Sequence, residues 1–164
     1  MKNKSGAFKV RSLARSFKCA GNGIFYCIKN ERNMRIHLTA AIYVLVFSLF
    51  YDFSTTQYIL LLLTIGMVLF AEAVNTAVEI LVNLETQWYD SLARIAKDVA
   101  AGAVLICAIF AAIVGIILYL KPATIAYIVI YLIKNPLLGI LFIVSLPVAA
   151  AFIFGPPRNL FRKY

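Results

Sequence analysis

The hydrophobic positions of this chain are gathered into long stretches. Apolar side chains dominate residues 38–51, 58–82, 99–120 and 136–154. A helix crosses the hydrocarbon core of a bilayer with roughly 20 apolar residues, and these stretches approach or exceed about 18. The pattern therefore predicts membrane-spanning helices, because a chain of 164 residues has no soluble core large enough to bury them.

The segment before these stretches has a different pattern. Its apolar positions are interleaved with basic ones. They are Phe8, Val10, Leu13, Phe17, Ile24, Phe25 and Ile28. This arrangement is typical of an amphipathic helix that lies in the plane of the membrane interface. Gly21 and Gly23 are expected to weaken that helix midway.

The central part of the chain predicts three spans. The first, over residues 34–51, ends at a polar turn around Asp52 and Ser54, so the second span returns across the membrane and continues to residue 83. A polar loop over 84–98 leads to a third span that begins with small residues and ends near 120. Small residues let membrane helices approach closely, so a packed bundle is expected.

The C-terminal part allows two arrangements. Residues 123–133 and 136–154 are both apolar and are separated by Lys134, Asn135 and Pro136, so they form either a hairpin or one additional span. We favour one span, because only the second stretch is long enough alone. The predicted fold is all-α and integral to the membrane: an amphipathic N-terminal segment (1–33), a three-span helical bundle (34–120) and a C-terminal apolar extension (121–164).

Composition and charge agree with a membrane location. Hydrophobic residues make up 63% of the chain, the mean hydropathy is +0.89, and the net charge is +9. Nine of the sixteen basic residues precede position 36. The positive-inside rule therefore places the N-terminus in the cytoplasm. No part of this basic segment resembles a nucleic-acid-binding module, so the expected partner is a membrane surface and not a nucleic acid.

Three polar residues interrupt the second span. Glu72, Asn75 and Glu79 follow an apolar run, and a charge at the centre of a span costs roughly 2.5 to 3.5 kcal/mol. At about 100° per residue, Glu79 lies roughly 20° from Glu72 around the helix, and Asn75 about 60° away. One face therefore presents two carboxylates and an amide. These groups either form an active site or pair with basic residues to hold the helices together.

Two carboxylates on one face need a cation to offset their repulsion. Arg35, Lys97 and a divalent metal are the candidates, and oxygen ligands favour Mg²⁺. Glu31 lies just before the first span at the same level of the membrane, where it either completes a carboxylate cage or remains a solvated charge. His37, at the start of that span, is interpreted as an interface residue in preference to a metal ligand or a base.

Lys97 and Asp98 are predicted to open the third span. Free backbone amides at a helix N-terminus favour a phosphate, and Lys97 would add a positive charge. The alternative is a helix cap by Asp98 beside an interfacial lysine. The sequence has neither a GxxxxGK[ST] phosphate loop nor a protein-kinase signature, so a nucleotide enzyme here would have an unrelated design.

Three blocks of the sequence resemble the prokaryotic diacylglycerol kinase family, and within it the Gram-positive undecaprenol kinase branch. They are SFKCAGNGIFYCIKNERNMRIH at 16–37, AEAVNTAVEILVN at 71–83 and ARIAKDVAAGAVL at 93–105. The resemblance extends over residues 12–120. Asn83 stands where that family usually has an aspartate, and the extension after Pro122 is interpreted as a noncatalytic membrane addition.

The resemblance implies an ATP-dependent lipid kinase that works as a homotrimer with active sites shared between protomers. Glu72 would be the general base on the lipid hydroxyl, and Glu31 and Glu79 would bind Mg²⁺ together with ATP. Further nucleotide contacts would come from Asn75, Lys97 and Asp98, and Arg35 would join Glu72 at the substrate.

The expected substrate is undecaprenol, in a bacterial plasma membrane, with diacylglycerol as the alternative. A proton or cation transporter, or an inactive scaffold, is the alternative of another class.

Overall fold

The computed structural model describes residues 4–85 and 91–156, and the side chains of 13–84 and 91–156. Every regular element in these ranges is a helix. The six helices are α1 (Lys4–Asn30), α2 (Arg32–Ser48), α3 (Thr55–Glu85), α4 (Ser91–Tyr119), α5 (Pro122–Lys134) and α6 (Pro136–Phe154). Three of them, α3, α4 and α6, are long and apolar enough to cross a membrane. The prediction of an all-α integral membrane protein is confirmed.

Helix α1 carries the predicted amphipathic pattern. Leu13, Phe17, Ile24 and Phe25 are exposed, whereas Cys27 is buried near the end where α1 meets α2 and α3. The exposed aromatic and aliphatic side chains suit insertion into the headgroup region of a bilayer. The helix is continuous through both predicted weak points, Gly21 and Gly23.

A single residue separates α1 from α2. Glu31 has an extended backbone (φ −100°, ψ 119°) and is the N-cap of α2. Helix α2 has 17 residues, about 25 Å at 1.5 Å per residue, and is therefore shorter than the predicted span over 34–51. It ends early because Leu49, Phe50 and Tyr51 donate backbone hydrogen bonds three residues back, which tightens the chain into turns.

Helices α3 and α4 form the most extensive helix pair of the molecule. A reciprocal cap starts α3: the Ser54 N–H donates to Gln57 Oε1 (2.8 Å), and the Gln57 N–H donates to Ser54 Oγ (3.3 Å). Small residues of α4 face α3 across an apolar cavity of about 310 Å³, which α2 also lines. Ala108, Ala111 and Gly115 line this cavity, and a Cβ atom at Gly115 would meet no other atom within 4 Å, so the predicted close packing of the third span is not found at this glycine.

The boundary of α4 corrects one expectation. The helix begins at Ser91, so Lys97 and Asp98 are its seventh and eighth residues and do not lie at its N-terminus. Only the first four N–H groups of a helix are free, and these positions are beyond them. The chain turns helical earlier than predicted because Leu92, Ala93, Ile95 and Ala96 favour helix despite the charged residues among them.

The C-terminal extension runs along α2. Tyr131, near the end of α5, packs against Phe50 at the end of α2, and α6 then follows α2 in the opposite direction. The Tyr43 hydroxyl is hydrogen-bonded to Ser145 Oγ at 2.8 Å, and Arg35 reaches the C-terminal end of α6. Helix α6 therefore returns to the end of the bundle where α2 begins, which favours one additional span. The three-part division of the chain stays a prediction.

Candidate active site

The predicted polar residues of α3 meet the beginning of α2 at one end of the bundle. Glu72, Asn75 and Thr76 are buried, with Glu72 only 1% exposed. Opposite them, α2 contributes its N-cap Glu31 and the side chains of its first two turns. This end of the bundle therefore concentrates ionisable groups in an otherwise apolar molecule, at the considerable cost of burying charge.

Glu72 has one close polar neighbour. Its Oε1 atom lies 3.3 Å from His37 Nε2, an ion-pair distance when the imidazole is protonated. The geometry is not that of a hydrogen bond, and Oε1 has no hydrogen-bond donor among the described residues. The His37 side chain is 25% exposed and that of Glu72 is 2% exposed, so the histidine lies between the carboxylate and the outside.

His37 is the site residue that sequence reasoning missed. A usable signal was present, because His37 and Glu72 lie 17 and 18 residues on either side of Ser54, where the chain reverses. In an antiparallel hairpin, residues at similar distances from the turn lie at the same level. The same argument brings Glu31 level with Glu79.

Asn75 and Glu79 form the second part of the site. Asn75 Nδ2 donates a hydrogen bond to Glu79 Oε1 at 3.0 Å, one helical turn further on. Asn75 Oδ1 is buried and has no partner among the described residues. A buried acceptor without a donor is uncommon in a finished fold, so this atom is available to a ligand.

Glu31 belongs electrostatically to the same cluster. Burial raises the pKa of Glu31 above its ordinary value, the negative charges of Glu79 and then Glu72 raise it further, and the positive charge of Arg35 lowers it. Three carboxylates thus interact at one end of the bundle. Whether Glu31 belongs to a carboxylate cage or is a solvated charge stays a prediction.

The carboxylates do not by themselves form a complete metal cage. No group of three or more His, Cys, Asp or Glu side chains in the described ranges is arranged to hold a metal ion. Mg²⁺ usually binds through one or two protein carboxylates together with water and substrate phosphates. Glu31, Glu79 and the unpartnered Asn75 oxygen have the chemistry for that incomplete kind of site.

The Arg35 guanidinium is hydrogen-bonded to the end of α6. Its Nη1 donates to the backbone oxygens of Phe152 (3.1 Å) and Gly155 (2.8 Å), and its Nε has no partner among the described residues. The guanidinium forms no ion pair with a described carboxylate. Direct neutralisation of the carboxylates by Arg35, one of the alternatives drawn from the sequence, is therefore not what the structure has.

Lys97 pairs with Asn83 and not with the carboxylates. Its Nζ donates to Asn83 Oδ1 at 2.7 Å, which links the last turn of α3 to α4. The asparagine that replaces the usual aspartate thus still accepts a hydrogen bond from this lysine. Asp98, the next residue, is exposed. The structure does not join either residue to Glu72, Asn75 or Glu79 by a described hydrogen bond.

Cys27 closes the site on the side of α1. Burial raises the pKa of its thiol, a hydrogen bond with Thr76 lowers it, and the negative charge of Glu31 raises it. Thr76 also donates its hydroxyl to the Glu72 backbone oxygen at 3.0 Å. Helix α1 therefore ends against α3, one turn away from Glu72.

The sequence is similar to one family of known proteins. Residues 18–119 match the family described as prokaryotic diacylglycerol kinase. The chain is 35% identical to an undecaprenol kinase of Bacillus subtilis over 120 residues, which are 73% of this chain and 98% of that protein. It is 41% identical to a diacylglycerol kinase of Synechocystis over 112 residues, 68% of this chain but only 64% of that protein. No solved structure gives a significant match.

The fold and the site define an integral membrane protein with a buried carboxylate cluster, and the relatives are lipid kinases. The chain belongs to the prokaryotic diacylglycerol kinase family. The predicted resemblance is confirmed, and the enzyme class is that of a lipid kinase. The matched region ends at residue 119, so α5 and α6 lie outside it.

Proposed function

We propose that this protein transfers the γ-phosphate of ATP to the hydroxyl of undecaprenol and so forms undecaprenyl phosphate. The observation that carries the proposal is Glu72, a buried carboxylate whose Oε1 lacks a hydrogen-bond donor. It lies beside a group of polar residues at the end of an apolar helix. A lipid hydroxyl can reach such a carboxylate while its hydrocarbon chain stays in the membrane.

Glu72 is the general base. It accepts the proton of the lipid hydroxyl as that oxygen bonds to the γ-phosphorus and the bond from phosphorus to ADP breaks. Phosphoryl transfer depends mainly on positioning and charge stabilisation, so one correctly oriented carboxylate is enough to accept the proton of the lipid hydroxyl. His37 positions Glu72 through the 3.3 Å contact between Nε2 and Oε1.

Glu31 and Glu79 would hold Mg²⁺ together with the ATP phosphates, and Asn75 would contribute its Oδ1 or its amide. When bound, Mg²⁺ neutralises the phosphate oxygens. The hydrogen bond from Asn75 Nδ2 orients Glu79 before any ligand arrives. The mutual repulsion of the carboxylates favours a cation there, which is supported by the raised pKa of Glu31.

Lys97 and Asp98 contact the nucleotide at the edge of the site, and Arg35 supports the substrate end. The bond between Lys97 and Asn83 has to open or rearrange for the lysine to reach a phosphate. We also propose a homotrimer with shared sites in the bacterial plasma membrane, its N-terminus in the cytoplasm. The nine basic residues before position 36 support that orientation.

Diacylglycerol is the second candidate substrate, favoured by the 41% identity to the Synechocystis diacylglycerol kinase. Undecaprenol is preferred because the B. subtilis relative is covered over 98% of its length. The apolar lining of the helices does not select between the two hydrocarbon tails.

The test offers both lipids to the full-length protein in nanodiscs with γ-labelled ATP and Mg²⁺, with Glu72→Gln as the control. Label is expected on undecaprenol, with less on diacylglycerol and none above background for the variant. Preferential labelling of diacylglycerol would replace the substrate. Labelling of neither lipid by a folded protein would overturn the proposed reaction, and equal labelling by the variant would rule out Glu72 as its base.

A further inference from the structure

The end of α6 holds a charged side chain of the site. Arg35 is 7% exposed, and its Nη1 is shared between the carbonyl oxygens of Phe152 and Gly155. The last carbonyl groups of a helix have no partner within the helix and form its negative end. A guanidinium is a suitable partner for them, and in a membrane unpaired carbonyl groups are especially costly.

Contacts along the two helices keep this end of α6 in place. Phe142 packs edge-on against the rings of Tyr43 and Phe47, with centroids 6.3 and 5.6 Å apart. Ser145 shares a hydrogen bond with Tyr43. No residue of α6 is buried, so its position depends on these contacts and on the Arg35 bonds.

Arg35 also lies one turn after Glu31. Its backbone N–H donates to the Glu31 oxygen at 3.3 Å, and side chains four residues apart share a face of a helix. An arginine in this position would ordinarily pair with the carboxylate, and here it is bonded to α6.

We propose that the C-terminal end of α6 is a positioning element of the active site, which holds the Arg35 guanidinium away from Glu31 and Glu79 and so leaves those carboxylates available to a divalent cation. The extension would then not be a passive membrane addition. The inference rests on the proposed magnesium–nucleotide site.

Two glycines provide a test within the full-length chain. A Cβ atom at Gly155 would lie 2.8 Å from the Ala151 oxygen, so Gly155→Val displaces the carbonyl groups that bind Arg35. A Cβ atom at Gly139 would lie equally close, 2.8 Å, to the Leu132 oxygen. Gly139→Val therefore disturbs the same extension to a similar degree at its other end, and is the matched control.

The measurement is binding of Mn²⁺ with a non-hydrolysable ATP analogue to the protein in nanodiscs, read from the loss of the free Mn²⁺ paramagnetic resonance signal. Gly155→Val is expected to raise the dissociation constant about tenfold, since the released guanidinium competes for the carboxylates. Gly139→Val is expected to change this dissociation constant less than about twofold.

The Arg35→Gln background separates competition from general damage. There, Gly155→Val should have little further effect, because no guanidinium remains to compete. An equal effect of Gly155→Val with and without Arg35, an equal effect of Gly139→Val, or no effect of Gly155→Val would each overturn the inference. If the unmodified protein bound no Mn²⁺–nucleotide at all, the proposed function itself would fail.

Discussion

Helices α3 and α6 are both apolar enough to cross a membrane, yet they are held in different ways. Helix α3 buries Glu72, Asn75 and Thr76 and packs along α4. Helix α6 buries none of its residues, and it is attached to α2 through one hydroxyl pair, edge-on ring contacts and two backbone carbonyls.

Hydrophobicity therefore identifies a membrane-spanning helix but does not indicate its role. In α3, polar side chains are expensive to bury, and they lie together where chemistry is possible. At the end of α6, the groups that bind Arg35 are backbone carbonyl oxygens, so the side chains in its sequence do not indicate them. The following predictions test how far the two regions differ.

The largest effect is expected at Glu72. Glu72→Gln should reduce turnover by about 10² to 10⁴-fold, the usual contribution of a general base, and leave Mn²⁺–nucleotide binding almost unchanged. Initial rates with saturating ATP, together with the binding measurement, check both parts. Turnover close to that of the unmodified protein would rule Glu72 out as the base.

Glu79→Gln should have the opposite profile. The loss of a carboxylate from the cation site is expected to raise the Mn²⁺–nucleotide dissociation constant by roughly tenfold, about 1.4 kcal/mol. The amide keeps the size of the side chain and its hydrogen bond with Asn75. Unchanged binding, with lower turnover alone, would move Glu79 from the cation site to the reacting groups.

His37→Gln should lower kcat by about tenfold, since a small misplacement of a reacting group is costly. The KM for ATP should stay the same. Thr64 lines the same apolar cavity as His37, and its hydroxyl donates to Leu60 of its own helix. Thr64→Val is therefore the control and should retain full activity; equal losses in the two variants would indicate altered cavity packing instead.

The raised pKa of Glu31 gives the stability of the ligand-free protein a pH dependence. Below the ordinary pKa of 4.5, Glu31 is protonated in both the folded and the unfolded state, so its ionisation does not lower the free energy of unfolding. As pH rises through the higher folded-state pKa, its ionisation becomes a cost, so stability falls. The Glu31→Gln variant lacks this cost.

Thermal unfolding of both proteins in detergent, from acidic to neutral pH, tests this sign. The unmodified protein should lose stability relative to Glu31→Gln as pH increases, and a bound Mg²⁺–nucleotide should reduce the difference. Parallel unfolding temperatures across the range would show that Glu31 is fully solvated.

The smallest effect is expected in the extension. Ser145→Ala removes the hydrogen bond with Tyr43, and such bonds between membrane helices are worth about 0.6 kcal/mol. Unfolding at increasing concentrations of a denaturing detergent should show a decrease of that order in the free energy of unfolding, with kinase activity unchanged. Tyr43→Phe should match it, and a large loss of activity in both variants would mean that α6 is more tightly coupled to the site than proposed.

The membrane class, the amphipathic first helix and the polar face of α3 could be predicted from the sequence. These follow from local periodicity and from the rarity of charge in apolar stretches, which need no knowledge of neighbours. The blocks around Glu31, Glu72 and Lys97 also sufficed to indicate the family, since they carry its residues in order.

The contacts between the polar groups depend on the tertiary structure, although the number of residues from the turn near Ser54 already puts His37 at the level of Glu72. His37 contacts Glu72 because α2 and α3 are antiparallel about the turn near Ser54, and Arg35 bonds to α6 because that helix returns along α2. Backbone carbonyls at a helix end have no sequence signature, so no pattern of side chains could reveal the partner of Arg35. Periodicity reports which face of a helix is polar, whereas the contacts of that face depend on how separate helices pack.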